Sequence, residues 1–191
     1  MIVLGFDTST GHCAAALVKD GKILAEKREE MKRGQAERLM VLLEEILASQ
    51  SVTWGDLDAI GVGVGPGNFT GIRICVSAAR GLALGLGVPA IGVNRFDIIN
   101  SYDLNGLPCV VAPQNKVYVQ RDGGHPEHMA LEEAEQLGQP LVFEPEDVNQ
   151  AIAIAQIASK RVGSDQPRPA PLYIKAADAA PARDAPPKII A

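Results

Sequence analysis

The sequence predicts a mixed α/β fold, and three observations carry that reading. Residues 2–6 form an apolar run of β-forming side chains, and two more strand-like segments follow it, joined at Asp20-Gly21. From residue 34 to residue 93 the periodicity alternates between helix and strand. Within that stretch a strand runs into a glycine-rich loop that opens a helix.

The elements follow in order. Segment 2–6 is apolar throughout and ends at the polar turn Asp7-Thr8-Ser9-Thr10-Gly11, as a strand buried on both faces would. Segments 13–19 and 22–27 flank Asp20-Gly21, the pair that favours a type I′ hairpin because both central residues need positive φ. Over 34–49, Leu39, Leu42, Leu43, Ile46 and Leu47 share one helical face, while Glu37, Arg38, Glu44 and Glu45 lie elsewhere. Met40 and Val41 extend the apolar surface past that stripe, toward the core or toward a partner helix. Segment 57–64 reads as a strand, 72–86 as an alanine-rich helix and 88–93 as a short strand. Ala78, Ala79 and Ala83 permit close packing of the 72–86 helix, against the sheet or across a dimer interface.

Beyond residue 97 the signals weaken. Strands are expected at 108–112 and 116–120, and a helix at 146–160 bearing Val148, Ile152 and Ala155. We read 1–97 as a first lobe, 98–175 as a shorter second lobe and 176–191, made largely of Ala, Pro, Asp and Arg, as a mobile tail.

Composition narrows the function. With 18 Lys+Arg against 23 Asp+Glu in 191 residues, the net charge is −5, which gives no general attraction to nucleic acid or to anionic membrane. Tight nucleic-acid binding by this chain alone is therefore not expected. Cys13, Cys75 and Cys109 are odd in number and widely spaced, as buried thiols in a reducing compartment would be, so cytosol is the expected location. The opening MIVLGFD lacks a basic leader, and the apolar stretch 81–93 is broken by Pro89 and glycines, so no membrane segment is expected.

Two segments have residues suited to holding phosphate. The loop 61–71, with Gly65, Gly67 and Thr70, joins a strand to a helix whose N-terminal N–H groups can receive an anion. It lacks the Lys-Ser/Thr of a P-loop, and spacing alone favours a tight turn with Thr70 as N-cap. Asp7 and Thr8, with Ser9 and Thr10, could orient a metal-bound phosphate or simply close an Asx turn. His125 and His128 are separated by Pro126 and read as a solvated loop, and His12 has no partner visible in the sequence. No G-x-S-x-G, H-E-x-x-H or Cys-His pattern supplies a hydrolytic centre.

FDTST at the first strand, the Asp-Gly hairpin, the 34–49 helix and above all GPGNFTGIRICVSAARGLALG resemble the bacterial TsaB (YeaZ) family, as does the late Pro-Leu-Tyr-Ile-Lys at 171–175. The resemblance implies the actin- and sugar-kinase-like fold, with a βββαβα first lobe. It also implies a non-catalytic relative of TsaD, the subunit that installs threonylcarbamoyl on the adenosine beside the anticodon of tRNAs reading ANN codons. Catalytic relatives bind a metal through two histidines one helical turn apart, whereas the matching stretch here reads Gly34-Gln35-Ala36-Glu37-Arg38-Leu39, so no metal site carries over. The resemblance further implies a heterodimer with TsaD through the 34–49 and 72–86 helices, involving Gln35, Arg38, Leu39, Met40, Leu42, Arg73, Ser77 and Arg80. A homodimer through the same patch, TsaE docking on the heterodimer, and no cofactor beyond ATP and Mg²⁺ at the complex interface complete that expectation. The rival from another class is an ATP-binding or ATP-hydrolysing enzyme using FDTST and GPGNFTG; a peptidase has no nucleophile to use.

Overall fold

The structure, a computed structural model, describes residues 1–102, 105–145 and 148–174. Strands β1 (Ile2–Asp7), β2 (His12–Lys19) and β3 (Lys22–Glu30) form an antiparallel meander. Asp20 and Gly21 take φ of 50° and 80°, the positive pair that their turn type requires. Strands β4 (Ala59–Gly63) and β5 (Ala90–Val93) add in parallel beyond β1, giving the order β3-β2-β1-β4-β5. β3 is an edge strand and carries charged side chains along most of its length, a pattern that discourages further pairing.

Because strand side chains alternate, the two faces of this sheet are built from different residues. Leu4, Phe6, Leu17, Ile60 and Val62 point to one face, where α1 (Gln35–Ser49) and α2 (Phe69–Leu86) cover them with Leu39, Leu42, Leu43, Ile72 and Cys75. Val3, Ala14, Ala16, Val18 and Ala59 point to the other, which α5 (Gln150–Arg161) covers with Ala151, Ala155 and Ala158. The small residues on this second face bring α5 very close. A Cβ on Gly5 would lie 2.6 Å from the Ala151 carbonyl oxygen, and one on Gly61 would lie 2.9 Å from Ala158 Cβ.

The 146–160 helix was expected in a second lobe, yet its described part, α5, packs on the first sheet, so residues 150–161 lie with the elements of 1–97. Its alanine stripe fits the glycines of β1 and β4. What remains between them is a smaller sheet of order β8-β7-β6-β9, formed by β6 (Leu107–Ala112), β7 (Lys116–Val119), β8 (Glu127–Ala130) and β9 (Leu141–Val142), with α4 (Leu131–Glu135) beside it. The expected strands at 108–112 and 116–120 correspond to β6 and β7. His128, read as loop, sits on β8 with its ring 5.0 Å from that of Tyr118.

Helix α3 (Arg95–Tyr102) joins the two sheets and was not anticipated. Its start is a reciprocal cap in which Asp97 N donates to Asn94 Oδ1 at 2.8 Å and Asn94 N donates to Asp97 Oδ2 at 3.2 Å. The tail 176–191, Lys175 and the first residues of the 146–160 helix lie outside the described residues. Helix α2 is long and apolar enough to cross a membrane by length and composition, but its Ile72, Cys75, Val76 and Ala79 are buried against the sheet.

Burial also fixes the thiols. It pushes Cys13 and Cys109 up to about 11 and Cys75 up to about 12, so all three are neutral and unreactive near pH 7.

Candidate functional site

Two loops meet at the C-terminal ends of β1 and β4, and they are locked to one another. Asp7 is 2% exposed, and its Oδ2 accepts from Ser9 N and Ser9 Oγ, both at 3.0 Å. The same oxygen lies 2.9 Å from His12 Nε2, while His12 Nδ1 lies 2.6 Å from Thr10 Oγ1. Thr8 Oγ1 donates to the Gly71 carbonyl at 2.7 Å, and Asn68 N donates to the Ser9 carbonyl at 2.6 Å. The partner that His12 lacked in the sequence is thus Asp7, brought to it by the β1–β2 turn. With both side chains sealed from solvent, the chain Asp7–His12–Thr10 ties the turn together rather than facing a substrate.

The glycines of the second loop are explained by this contact. A Cβ at Gly63 would lie 1.9 Å from Asp7 Oδ1, one at Gly67 2.2 Å from the Ser9 carbonyl, and one at Gly71 1.9 Å from the Thr8 carbonyl. Gly65 has φ of +94°, and a Cβ there would meet Ile72 Cδ1. The FDTST turn is therefore packed directly against the glycines of the second loop. Asp7, Thr8 and Gly65 are buried, whereas Gly67 and Thr70 are exposed. Thr70 is not the N-cap; Asn68 is, with its Oδ1 accepting from Gly71 N at 2.9 Å, and α2 begins one residue before Thr70.

The residues expected at a partner surface divide into three groups. Leu39 and Leu42, at 1% and 0% exposure, face the sheet and cannot touch a partner while the chain is folded. The helical stripe that buries them sets this orientation. Arg38 is engaged within the chain, its guanidinium forked onto Glu29 at 2.7 and 2.7 Å and onto Glu45 at 2.9 and 2.6 Å. Gln35 Nε2 donates to the Met31 carbonyl at 3.1 Å. Arg73, Ser77 and Arg80 are exposed on the flank of α2 turned toward the C-terminal segment. There Arg73 Nε donates to Tyr173 Oη at 2.8 Å, and its guanidinium lies 3.8 Å from the centre of the Phe69 ring.

Among the described residues, two openings lie between α1 and α2. One, of about 370 Å³ near their N-terminal ends, is lined by Lys32, Arg33, Gln35, Glu37, Asn68 and Thr70 and is polar. The other, an apolar groove of about 390 Å³, is lined by Met40, Trp54, Gly81, Leu82, Gly85 and Leu86. Met40 and Val41 are 38% and 48% exposed, and Leu84 on the adjoining flank is 86% exposed.

The Arg38 cluster makes stability depend on pH. Hydrogen bonds from Arg38 hold the Glu29 and Glu45 carboxyls at about 2, below their ordinary 4.5. A lowered carboxyl stabilises the fold above its ordinary value, and that contribution is lost as pH falls from about 4.5 to about 2. Arg38→Gln is expected to flatten the loss of stability across that window while changing little of the remaining acid response. Urea midpoints at pH 7 and pH 3 test it; equal pH sensitivity in both proteins would contradict the linkage.

Comparison with known proteins decides the family. A family model described as TsaD: tRNA N6-adenosine threonylcarbamoyltransferase matches residues 22–172. The TsaB protein of Escherichia coli is 39% identical over 114 residues, covering 59% of this chain and 49% of that one. An uncharacterized protein of Mycobacterium tuberculosis is 32% identical over 208 residues, covering 94% of both chains. The chain belongs to the TsaB (YeaZ) family. Its fold agrees, since a Pseudomonas aeruginosa protein described as similar to the peptidase YeaZ superposes with a TM-score of 0.72 at 21% identity, over 91% of this chain and 99% of that one. A second structure, YeaZ from Pseudomonas aeruginosa, gives 0.67 at 23% identity over 84% and 91%. The two-lobed α/β arrangement expected of TsaB is therefore the one present, although the chain spans about half the length of the curated TsaB relatives it matches.

Proposed function

We propose that this TsaB-family chain acts in tRNA threonylcarbamoyladenosine biosynthesis as a non-catalytic scaffold that pairs with TsaD. The observation that carries the reading is the apolar groove between α1 and α2, flanked by exposed Met40 and Val41, on a chain whose two glycine- and hydroxyl-rich loops pack closely on each other. The names of the TsaB relatives support the process, and the TsaD family match supports a partner built on the same helix pair. Homodimerisation through this groove, TsaE docking on the heterodimer, ATP and Mg²⁺ at the shared interface, and action in the cytosol belong to the same proposal. An ATPase reading draws less support, because Asp7 Oδ2 and Thr8 Oγ1 are already bonded within the chain. Micromolar ATP binding lost in Asp7→Ala would restore it.

Met40→Asp puts a charge into the proposed contact at a partly exposed helix position, where folding is expected to change by about 1 kcal/mol. Co-elution with TsaD is expected to disappear while a cooperative thermal transition is retained. The decisive experiment reconstitutes tRNA threonylcarbamoylation from the proteins of the same organism, with and without this chain, and reads the modified adenosine by nucleoside mass spectrometry. Dependence on the chain is expected; equal modification without it would overturn the proposal.

A further inference from the structure

A second concavity lies away from the α1–α2 groove, along the outer edge of β5. It holds about 570 Å³, within the range of small-molecule sites, and is walled by the outer flank of α2, by β5 and by the segment that follows α5. Ala83, Val88 and Ile91 give it an apolar side, and Arg80, Arg161 and Arg168 are its charged residues, with no Asp or Glu in the lining. On a chain of net charge −5 this is a local inversion of sign.

The polar groups differ in how far they are already committed. Arg161 Nη1 donates to Asp97 Oδ2 at 3.0 Å and to the Gly92 carbonyl at 3.4 Å, so it is a fixed part of the wall. Ser164 Oγ donates to the Arg161 carbonyl at 2.6 Å, and Gln166 Nε2 donates to Ser164 Oγ at 3.1 Å. Arg80 and Arg168 have no acidic partner among the described residues. The C-terminal ends of α2 and α5 border the cleft, where Gly87 N and Val88 N donate to the Ala83 carbonyl and Val162 N donates to the Ala158 carbonyl. The lining charge left without an acidic partner is therefore cationic and planar, which matches the oxygens of a phosphate or carboxylate, while Gln166 Oε1 adds a neutral acceptor.

We propose that this cleft binds a small organic oxyanion, a phosphate monoester or a carboxylate on an apolar body. Arg80 and Arg168 grip the head, and Ala83, Val88 and Ile91 receive the body. The site stands independently of pairing with TsaD, and it gives Arg80 a role other than the partner contact expected from the family resemblance.

The test titrates the ¹⁵N-labelled full chain with phenyl phosphate at low salt and follows amide shifts. Saturable shifts are expected at Gly81, Ala83, Ile91 and Gly163, with inorganic phosphate binding at least about tenfold more weakly and benzyl alcohol not saturating. Arg80→Gln and Arg168→Gln, both at exposed positions, are each expected to weaken phenyl phosphate about tenfold, and the spectrum itself reports that the fold is kept. Benzoate in place of phenyl phosphate distinguishes the two heads: tighter binding of phenyl phosphate assigns a phosphate ligand, tighter binding of benzoate a carboxylate. Shifts that do not saturate, shifts centred instead on Lys32 and Arg33, or affinity unchanged in the two variants would overturn the proposal.

Discussion

Gly71→Ala is expected to destabilise the protein by ~4 kcal/mol, an unusually large effect for adding one methyl group. The added carbon would sit 1.9 Å from the Thr8 carbonyl oxygen, which is backbone and cannot rotate away. Relief requires the two loops to part, and parting them breaks the bonds from Thr8 Oγ1 to the Gly71 carbonyl and from Asn68 N to the Ser9 carbonyl. Gly81→Ala, in the same helix, is the control. Its Cβ meets nothing within 4 Å, so the better helix propensity of alanine is expected to stabilise by about 0.5–1 kcal/mol. Urea unfolding of both variants checks the pair; a Gly71→Ala protein within 1 kcal/mol of the parent would mean that the loops are not locked as described.

Gly5→Ala is expected to act on the opposite face of the sheet, with a loss of roughly 3 kcal/mol concentrated in one helix. The methyl group would stand 2.6 Å from the Ala151 carbonyl oxygen and 2.7 Å from Ala155 N, so the α5 backbone must withdraw from β1. Withdrawal uncovers Ala14, Ala16 and Val18 together with the alanine stripe of α5. Hydrogen exchange should reveal this as amides of 150–161 exchanging about 100-fold faster, while α1 and α2 change less. Uniform acceleration across the whole chain would instead indicate that α5 does not loosen separately.

The parts legible in the sequence are those where local chemistry leaves one solution. Asp20-Gly21 dictated its hairpin through positive φ, and the leucines of α1 dictated a buried face through their spacing. That spacing already placed Leu39 and Leu42 in the core, so their assignment to a partner surface by family resemblance conflicted with the physical pattern, and the pattern prevailed. Helix α3 has a readable start in Asn94-x-x-Asp97, but the little amphipathic signal behind it leaves the cap indistinguishable from an isolated turn in the sequence. Strand β9, two residues long, offers no periodicity to detect. The destination of α5 was hidden for another reason. An alanine stripe declares that something packs closely, and only the tertiary fold shows that the complementary glycines lie about 100 to 150 residues earlier. The same holds for Asp7 and His12, whose pairing depends on how the β1–β2 turn closes.

The return of α5 to the first sheet also sets the order in which the protein can mature on the ribosome. Residues 1–93 contain every strand of the five-stranded sheet, yet one face of that sheet stays bare until residue 161 has been synthesised. A nascent chain halted between the two would present Val3, Val18, Ala59 and the glycine tracks of β1 and β4 to the surrounding solution. The first sheet is thus finished last, and the smaller sheet is encoded inside the interval during which its neighbour waits for cover.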